Sequence, residues 1–232
     1  MLRPAAATFH MATIIEPVPA SAAATLADLV RALGDVPLER IRLHPPPGTA
    51  TEQDVIAAEA RDNSLCELVD GVLVEKPMGF LESRLAIVLS YFIETFLDQR
   101  NWGIVAGADG MMRLSKGLVR IPDVSFIRWE KFPGRKLPSA PIPDLSPDLA
   151  VEVLSVSNTR REMQRKLREY FAAGARLVWL LDPKSRSVSV YTAVDIFTVI
   201  DENGTLDGGD VLPGFTLAVK DWFARAERQG TP

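Results

Sequence analysis

The 232-residue chain is long enough for one domain with a sizeable core, or one domain with a short appendage. Apolar residues make up 47% and charged residues 24%, ordinary for a globular protein, and no run approaches the roughly 18 to 20 apolar residues of a membrane span. A net charge of −4 speaks against a surface coated in basic residues for nucleic acid. Two histidines and one cysteine leave little for a Ser-His-Asp hydrolase, a histidine-rich zinc site or a thiolate cluster.

The start, MLRPAAATFHMATIIEPVPASAAATL, is alanine-rich, but Glu16 and three prolines interrupt it, so it lacks the continuous apolar core of a secretory signal. Met11 is an alternative first residue, which would make the first ten a loose tail. Cys66 stands alone and fits a reducing cytoplasm. From Thr25 to Leu33, the spacing of Leu26, Leu29, Val30 and Leu33 predicts a short amphipathic helix. After HPPPG, Thr51 and Asp54 form a capping-box pattern that opens a second helix. CELVDGVLVEKP then places two apolar runs around Asp70-Gly71, the pair that favours a tight β-hairpin. FLESRLAIVLSYFIETFLDQ carries Leu81, Leu85, Val88, Leu89, Phe92 and Phe96 on one stripe, predicting a helix packed on a sheet.

Beyond Gly103 the pattern becomes strand-like, with a hairpin turning at Lys116-Gly117 and a strand around Val124 to Ile127. A proline-rich loop, 133–147, leads to a buried strand from Leu149 to Leu154. Thr159 and Glu162 form the capping box of the next helix, with Gly174 past its end. RLVWLLDP reads as another buried strand, SVSVYTA and DIFTVI as antiparallel strands, and the residues from Lys220 as a short helix with a frayed end. No repeat or domain break is visible.

No phosphate-binding Gly-rich loop of the Gly-x-x-x-x-Gly-Lys-Ser/Thr or Gly-x-Gly-x-x-Gly kind is present. Carboxylates and lysines remain for chemistry. Glu152 sits within an otherwise apolar strand, and Asp123, in IPDVSFI, opens another. Glu67 lies among the apolar residues of CELVDG. An ionised carboxylate is costly to bury unless compensated. One such acid is most simply paired with an arginine, and Arg120, Arg165 and Arg168 are at hand. Three converging acids would instead call for a proton or a hard divalent cation, Mg2+ or Mn2+. The helix opening at Thr159 is flanked by arginines, an arrangement suited to phosphate. The basic stretches TRREMQRKLREY and RWEKFPGRK could equally be solvated faces.

IPDVSFI, then 28 residues between Asp123 and Glu152, then VEVLSVSNTRREMQRKLREYFAAGARLVWLLDP, together with CELVDGVLVEKPMG, resemble the Uma-type family of restriction-endonuclease-like proteins. That family was long catalogued as a domain of unknown function and falls in the PD-(D/E)XK nuclease superfamily. The likeness runs from about residue 50 to residue 222. It implies an α/β fold, a restriction-endonuclease-like mixed β-sheet flanked by helices with additional antiparallel strands. It divides the chain into an N-terminal extension (1–48), a nuclease-like domain (49–225) and a frayed C-terminus (226–232). It also implies a Mg2+- or Mn2+-dependent endonuclease acting on DNA, with Asp123 and Glu152 as metal ligands and Glu67 as the supporting acid.

The superfamily's lysine normally lies two residues beyond the strand acid, where this chain has Leu154. Lys166, on the following helix, is its expected replacement. Tyr170, one turn on, lines the same face, and Arg160, Arg161 and Arg165 are candidates for contact with DNA. A second departure is Phe80-Leu81-Glu82-Ser83, where many relatives have a histidine, and Glu82 is an outside candidate. A homodimer is expected because cutting both strands usually needs two active sites. The alternatives are a catalytically silent nucleic-acid-binding or assembly module, and a structural domain whose acids are salt-bridged.

Overall fold

The computed structural model describes residues 23–77 and 79–230. The reading of Met11 and the alanine-rich start therefore lies outside the described residues. Asp70 and Gly71 both take positive φ, 51° and 73°, as a two-residue hairpin turn of the primed type requires. They join Cys66–Val69 (β1) to Val72–Glu75 (β2). A side chain at 71 would also meet the backbone of Gly48, so the turn and the segment before the second helix close on one another. Met112–Ser115 (β4) and Leu118–Arg120 (β5) form the second hairpin, and the antiparallel sheet runs β2-β1-β5-β4.

The period of two sorts this small sheet's faces. Cys66, Leu68, Leu73 and Val119 pack with Val55 and Ala58 of the second helix, Glu52–Asp62 (α2). Val69, Val72 and Val74 face the other way and share a cluster with Leu29, Leu33, Val36 and Ile41 of the N-terminal extension. Leu29 belongs to the first helix, Leu26–Ala32 (α1), which carries the capping box of Thr25 and Asp28. The described part of the extension, residues 23–48, is thus part of the packed body.

The larger sheet has the order β10-β9-β8-β7-β6-β3. Its strands are Gly103–Ala106 (β3), Val124–Arg128 (β6), Leu149–Val153 (β7), Leu177–Asp182 (β8), Ser187–Ala193 (β9) and Ile196–Ile200 (β10). Only the β7–β8 pair is parallel, and the helix Arg160–Ala172 (α4) makes its crossover. Leu149, Val151 and Val153 point to one face, into a core with Phe80–Leu97 (α3) and Val219–Ala226 (α5). Ala150 and Leu154 point to the other, against Met163, Leu167 and Tyr170 of α4. Glu152 shares that second face. The mixed sheet flanked by helices matches the fold that the resemblance implied.

Two details differ from the sequence reading. The buried residues of α3 are Leu85, Ala86, Val88, Leu89, Ile93 and Leu97, while Leu81 is exposed and Phe92 and Phe96 are partly buried. The indole of Trp222 in α5 donates to the Leu85 carbonyl and draws burial toward that side of the helix. The strands Thr205–Asp207 (β11) and Thr216–Ala218 (β12) pair with each other and were not foreseen, since three residues each are too few to show a period.

Candidate active site

The four-stranded and the six-stranded sheet each send one acid toward α4. Glu67 comes from β1, on the face opposite Cys66 and Leu68, and Glu152 comes from β7. Lys166 stands between them, its Nζ 3.0 Å from Glu67 Oε1 and 3.0 and 3.1 Å from the two oxygens of Glu152. The Tyr170 hydroxyl, one turn along α4, donates to Glu152 Oε1. What makes a glutamate tolerable in the β7 core is therefore an ammonium and a phenol from one helix face. The thirteen residues of α4 hold both in register, because i and i+4 lie above one another.

The network continues behind Glu67. Arg120, on β5, donates to Glu67 Oε2 at 2.6 Å and to Glu169 Oε2 at 2.7 Å, and Glu67 also accepts the Ile121 N–H at 3.2 Å. Arg165 pairs with Glu169 at 2.7 Å and with Asp70 at 2.9 Å, and donates to the Ala32 carbonyl. The partners set the protonation tendencies. Burial pushes the Glu67 carboxyl up, but Lys166 and Arg120 outweigh it and bring it from the usual 4.5 down to about 2. Glu152 moves up instead, through burial first, against the pull of Lys166, with Asp123 and Glu67 adding to the rise. Burial works against the Lys166 ammonium, yet Glu152 and Glu67 raise its pKa on balance.

Asp123 lies one residue before β6 and is tied to β7 from both ends. Its N–H donates to the Val151 carbonyl at 3.0 Å, and its Oδ2 accepts the Val153 N–H at 2.7 Å. These bonds bracket Glu152 and put the two acids side by side in the sheet. The other oxygen, Oδ1, is held 2.8 Å from the Nζ of Lys76, which follows β2 and also donates to the Ala108 carbonyl at 3.0 Å. Lys76 is a buried residue that the sequence reading missed. In VLVEKPMG it looks like a solvated strand end, and no spacing links it to Asp123 47 residues later.

Asp123 lines an open cleft of about 490 Å³ together with Glu59 of α2 and Asn63 just past its end, Ser83, Ile87 and Ser90 of α3, and the loop at Gly107–Asp109. Of the three acids its side chain is the most accessible, 13% exposed against 6% for Glu152 and 1% for Glu67. The structure brings Asp123, Glu152, Glu67, Lys166 and Tyr170 together, as the sequence suggested. The three arginines are dispersed. Arg160 is exposed at the start of α4, and Arg161 is exposed and pairs with Asp35 at 2.8 Å. Arg165 is buried with its donors on protein acceptors. Glu82 lies in the first turn of α3 and makes no ion pair with this network among the described residues.

Hard carboxylate oxygens are the right donors for Mg2+ or Mn2+. Their present partners are not. Both oxygens of Asp123 and both of Glu152 carry protein donors, and among the described residues no three ligating side chains converge on one point. Five carboxylates (Asp123, Glu152, Glu67, Glu169 and the partly exposed Asp70) meet four cations (Lys76, Lys166, Arg120, Arg165), so each acid of the network already has a protein cation. A divalent ion does not fit this arrangement while Lys76 holds Asp123.

Comparison with known proteins bears on what such a centre does. The family model described as "Putative restriction endonuclease", Uma2, matches residues 53–220. A crystal structure from Anabaena variabilis, described as a "putative nuclease belonging to DUF820", is 20% identical with a TM-score of 0.63, covering 71% of this chain and 92% of that one. At that identity the likeness shows the fold. No curated protein matches the chain. With residues 53–220, most of its length, matched by the family model, this chain belongs to the Uma2 family of restriction-endonuclease-like proteins.

Proposed function

We propose that the chain is a nuclease that hydrolyses phosphodiester bonds of DNA at the Asp123 end of the buried network. The observation that carries this reading is the convergence of Asp123, Glu152, Glu67 and Lys166 from three strand regions and one helix, with Asp123 opening to a cleft. Family membership supports it. A phosphodiester entering the cleft meets Asp123 first. Its carboxylate can orient a water and accept a proton as the water oxygen bonds to phosphorus and the ester bond to the leaving oxygen breaks. Lys76, at 2.8 Å from that carboxylate, and Lys166 behind Glu152 supply fixed positive charge against the charge that grows on the phosphate oxygens. Restriction-endonuclease-like families usually use a divalent metal for this neutralisation. Here lysines stand at the acids.

A catalytically silent nucleic-acid-binding or assembly module is the second reading, favoured because Glu59 and Asp109 on the cleft wall and the net charge of −4 work against a phosphodiester settling beside Asp123. Supercoiled plasmid and branched DNA, incubated with the protein in EDTA and in millimolar Mg2+ or Mn2+, separate the two. Nicked or linear product in any of these is the expected result. Retarded but uncut DNA throughout would establish the silent module instead.

No helix among the described residues is long and apolar enough to cross a membrane. We place the protein in the cytoplasm, with the lone, buried Cys66 as support. We also propose a homodimer, since two active sites related by a two-fold axis can cut both strands of a duplex. Light scattering at micromolar concentration should give twice the chain mass of 25.5 kDa, and a monomer there refutes the dimer.

A further inference from the structure

We propose that Lys76 is the resident cation of the Asp123 centre, and that its ammonium keeps divalent ions from binding between Asp123 and Glu152. The inference rests on the reading that these two acids form the active centre, and it concerns which cation that centre holds.

Three observations lead to it. The ammonium of Lys76 is 2.8 Å from Asp123 Oδ1, and its side chain is only 2% exposed, so it has the position and dryness of a bound cation. It is also fixed from behind. Its backbone N–H donates to the Leu65 carbonyl at 2.8 Å, extending the β1–β2 pairing by one step, and its Nζ donates to the Ala108 carbonyl at 3.0 Å. The third observation is the charge pattern. From Asp70 through Arg165, Glu169, Arg120, Glu67 and Lys166 to Glu152, acids and bases alternate. The alternation breaks at a single junction, where Asp123 and Glu152, held side by side by the bonds to Val151 and Val153, bring two negative charges together. A like-charge junction is where a cation belongs. Lys76 lies there, close enough that its charge also acts on Glu152.

A divalent ion would have to displace this ammonium from Asp123 or accept its repulsion at near contact. Displacement leaves a lysine buried without its carboxylate, and repulsion between like charges weakens the ion directly. Either way the wild-type centre binds divalent ions poorly. Removing the ammonium leaves the two acids with one positive charge fewer and space at Asp123, the composition of a site for a hard cation.

The test is Mn2+ binding, followed by the loss of the free-ion electron paramagnetic resonance signal and by thermal shift, without any cleavage readout. Wild type and Asp123→Asn should respond alike to Mn2+. Lys76→Met should bind one Mn2+ at least roughly tenfold tighter than wild type and gain melting temperature with it. Adding Asp123→Asn to Lys76→Met should remove the gain. Lys76→Gln, which can still donate to Ala108, serves if the methionine variant does not fold. Stoichiometric Mn2+ binding by the wild type that Asp123→Asn abolishes overturns the proposal, whatever the variants do. So does a folded Lys76 variant with no new site. A nuclease that proves inactive leaves this result standing, because binding is read on its own.

Discussion

Lys166→Met should lower unfolding stability by about 3–5 kcal/mol, the usual consequence of removing one partner from a buried ion network. From its sequence position on an amphipathic helix, Lys166 could lose its charge with the fold nearly intact, since methionine keeps the apolar stem. Burial changes that expectation. Among the described residues the ammonium is the only group within hydrogen-bond reach of both Glu67 and Glu152, and it is 2% exposed. Without it Glu67 keeps Arg120, but Glu152 keeps only the Tyr170 hydroxyl. Glu152, already pushed toward protonation by burial, would then fold as the neutral acid. Adding Glu152→Gln to Lys166→Met should recover part of the loss, because the two side chains are coupled and their effects do not add. Urea titrations of the two single variants, the double variant and wild type measure this. A denaturation midpoint unchanged by Lys166→Met would mean that the ammonium is solvated, and the central bridge would fail.

The second large effect is expected at Arg40, which makes no ion pair with Asp123, Glu152 or Glu67 among the described residues. Its guanidinium grips Glu162 with two bonds, at 3.0 and 2.7 Å, and donates to the Glu75 and Ser157 carbonyls as well. Glu162 also closes the capping box of α4 with Thr159, and Thr159 in turn donates to the Gly34 carbonyl. The extension thus holds the first turn of the helix that carries Lys166 and Tyr170. Arg40→Ala leaves Glu162 buried with the Asn158 amide and the backbone N–H of Thr159, and should cost about 3–5 kcal/mol. Arg161→Ala is the matching control. Its pair with Asp35 links the same two segments but is solvent-exposed, so the loss should stay under about 1 kcal/mol. Equal losses in the two variants would show that the extension does not anchor α4 through Arg40.

Much of this architecture was legible because it rests on local chemistry. Asp70-Gly71 turns a hairpin by backbone conformation alone, and Thr159 with Glu162 starts a helix by side-chain bonds three residues apart. Glu152 was visible as an acid with apolar neighbours on both sides, and Lys166 followed from Leu154 at the usual lysine position once the family likeness was recognised. The residues that escaped are those whose role depends on where another element arrives. Lys76 needs the β1–β2 hairpin carried beside the start of β6 before it meets Asp123, and Arg40 needs its segment folded over α4 before it meets Glu162. Arg165 was misjudged for the same reason. A basic helix residue reads as a surface group, and nothing in TRREMQRKLREY says that α1 and the Asp70 turn will cover it.

The central claim is that Asp123 is the reacting end of this network, and single-turnover nicking of supercoiled plasmid by wild type and Asp123→Asn, purified side by side, tests it most directly. Asparagine keeps the size and an oxygen to accept the Val153 N–H, but it turns its amide donor toward the Lys76 ammonium, which retains the Ala108 carbonyl. The variant should therefore fold with reduced stability, as circular dichroism and a melting curve would verify. The charge that holds Lys76 and accepts a proton from water is gone. The account predicts a nicking rate lower by roughly 10² to 10³ in the variant, with DNA retention changed little. Nicking by Asp123→Asn at the wild-type rate would contradict it, and would move any cleavage in the preparation away from this site.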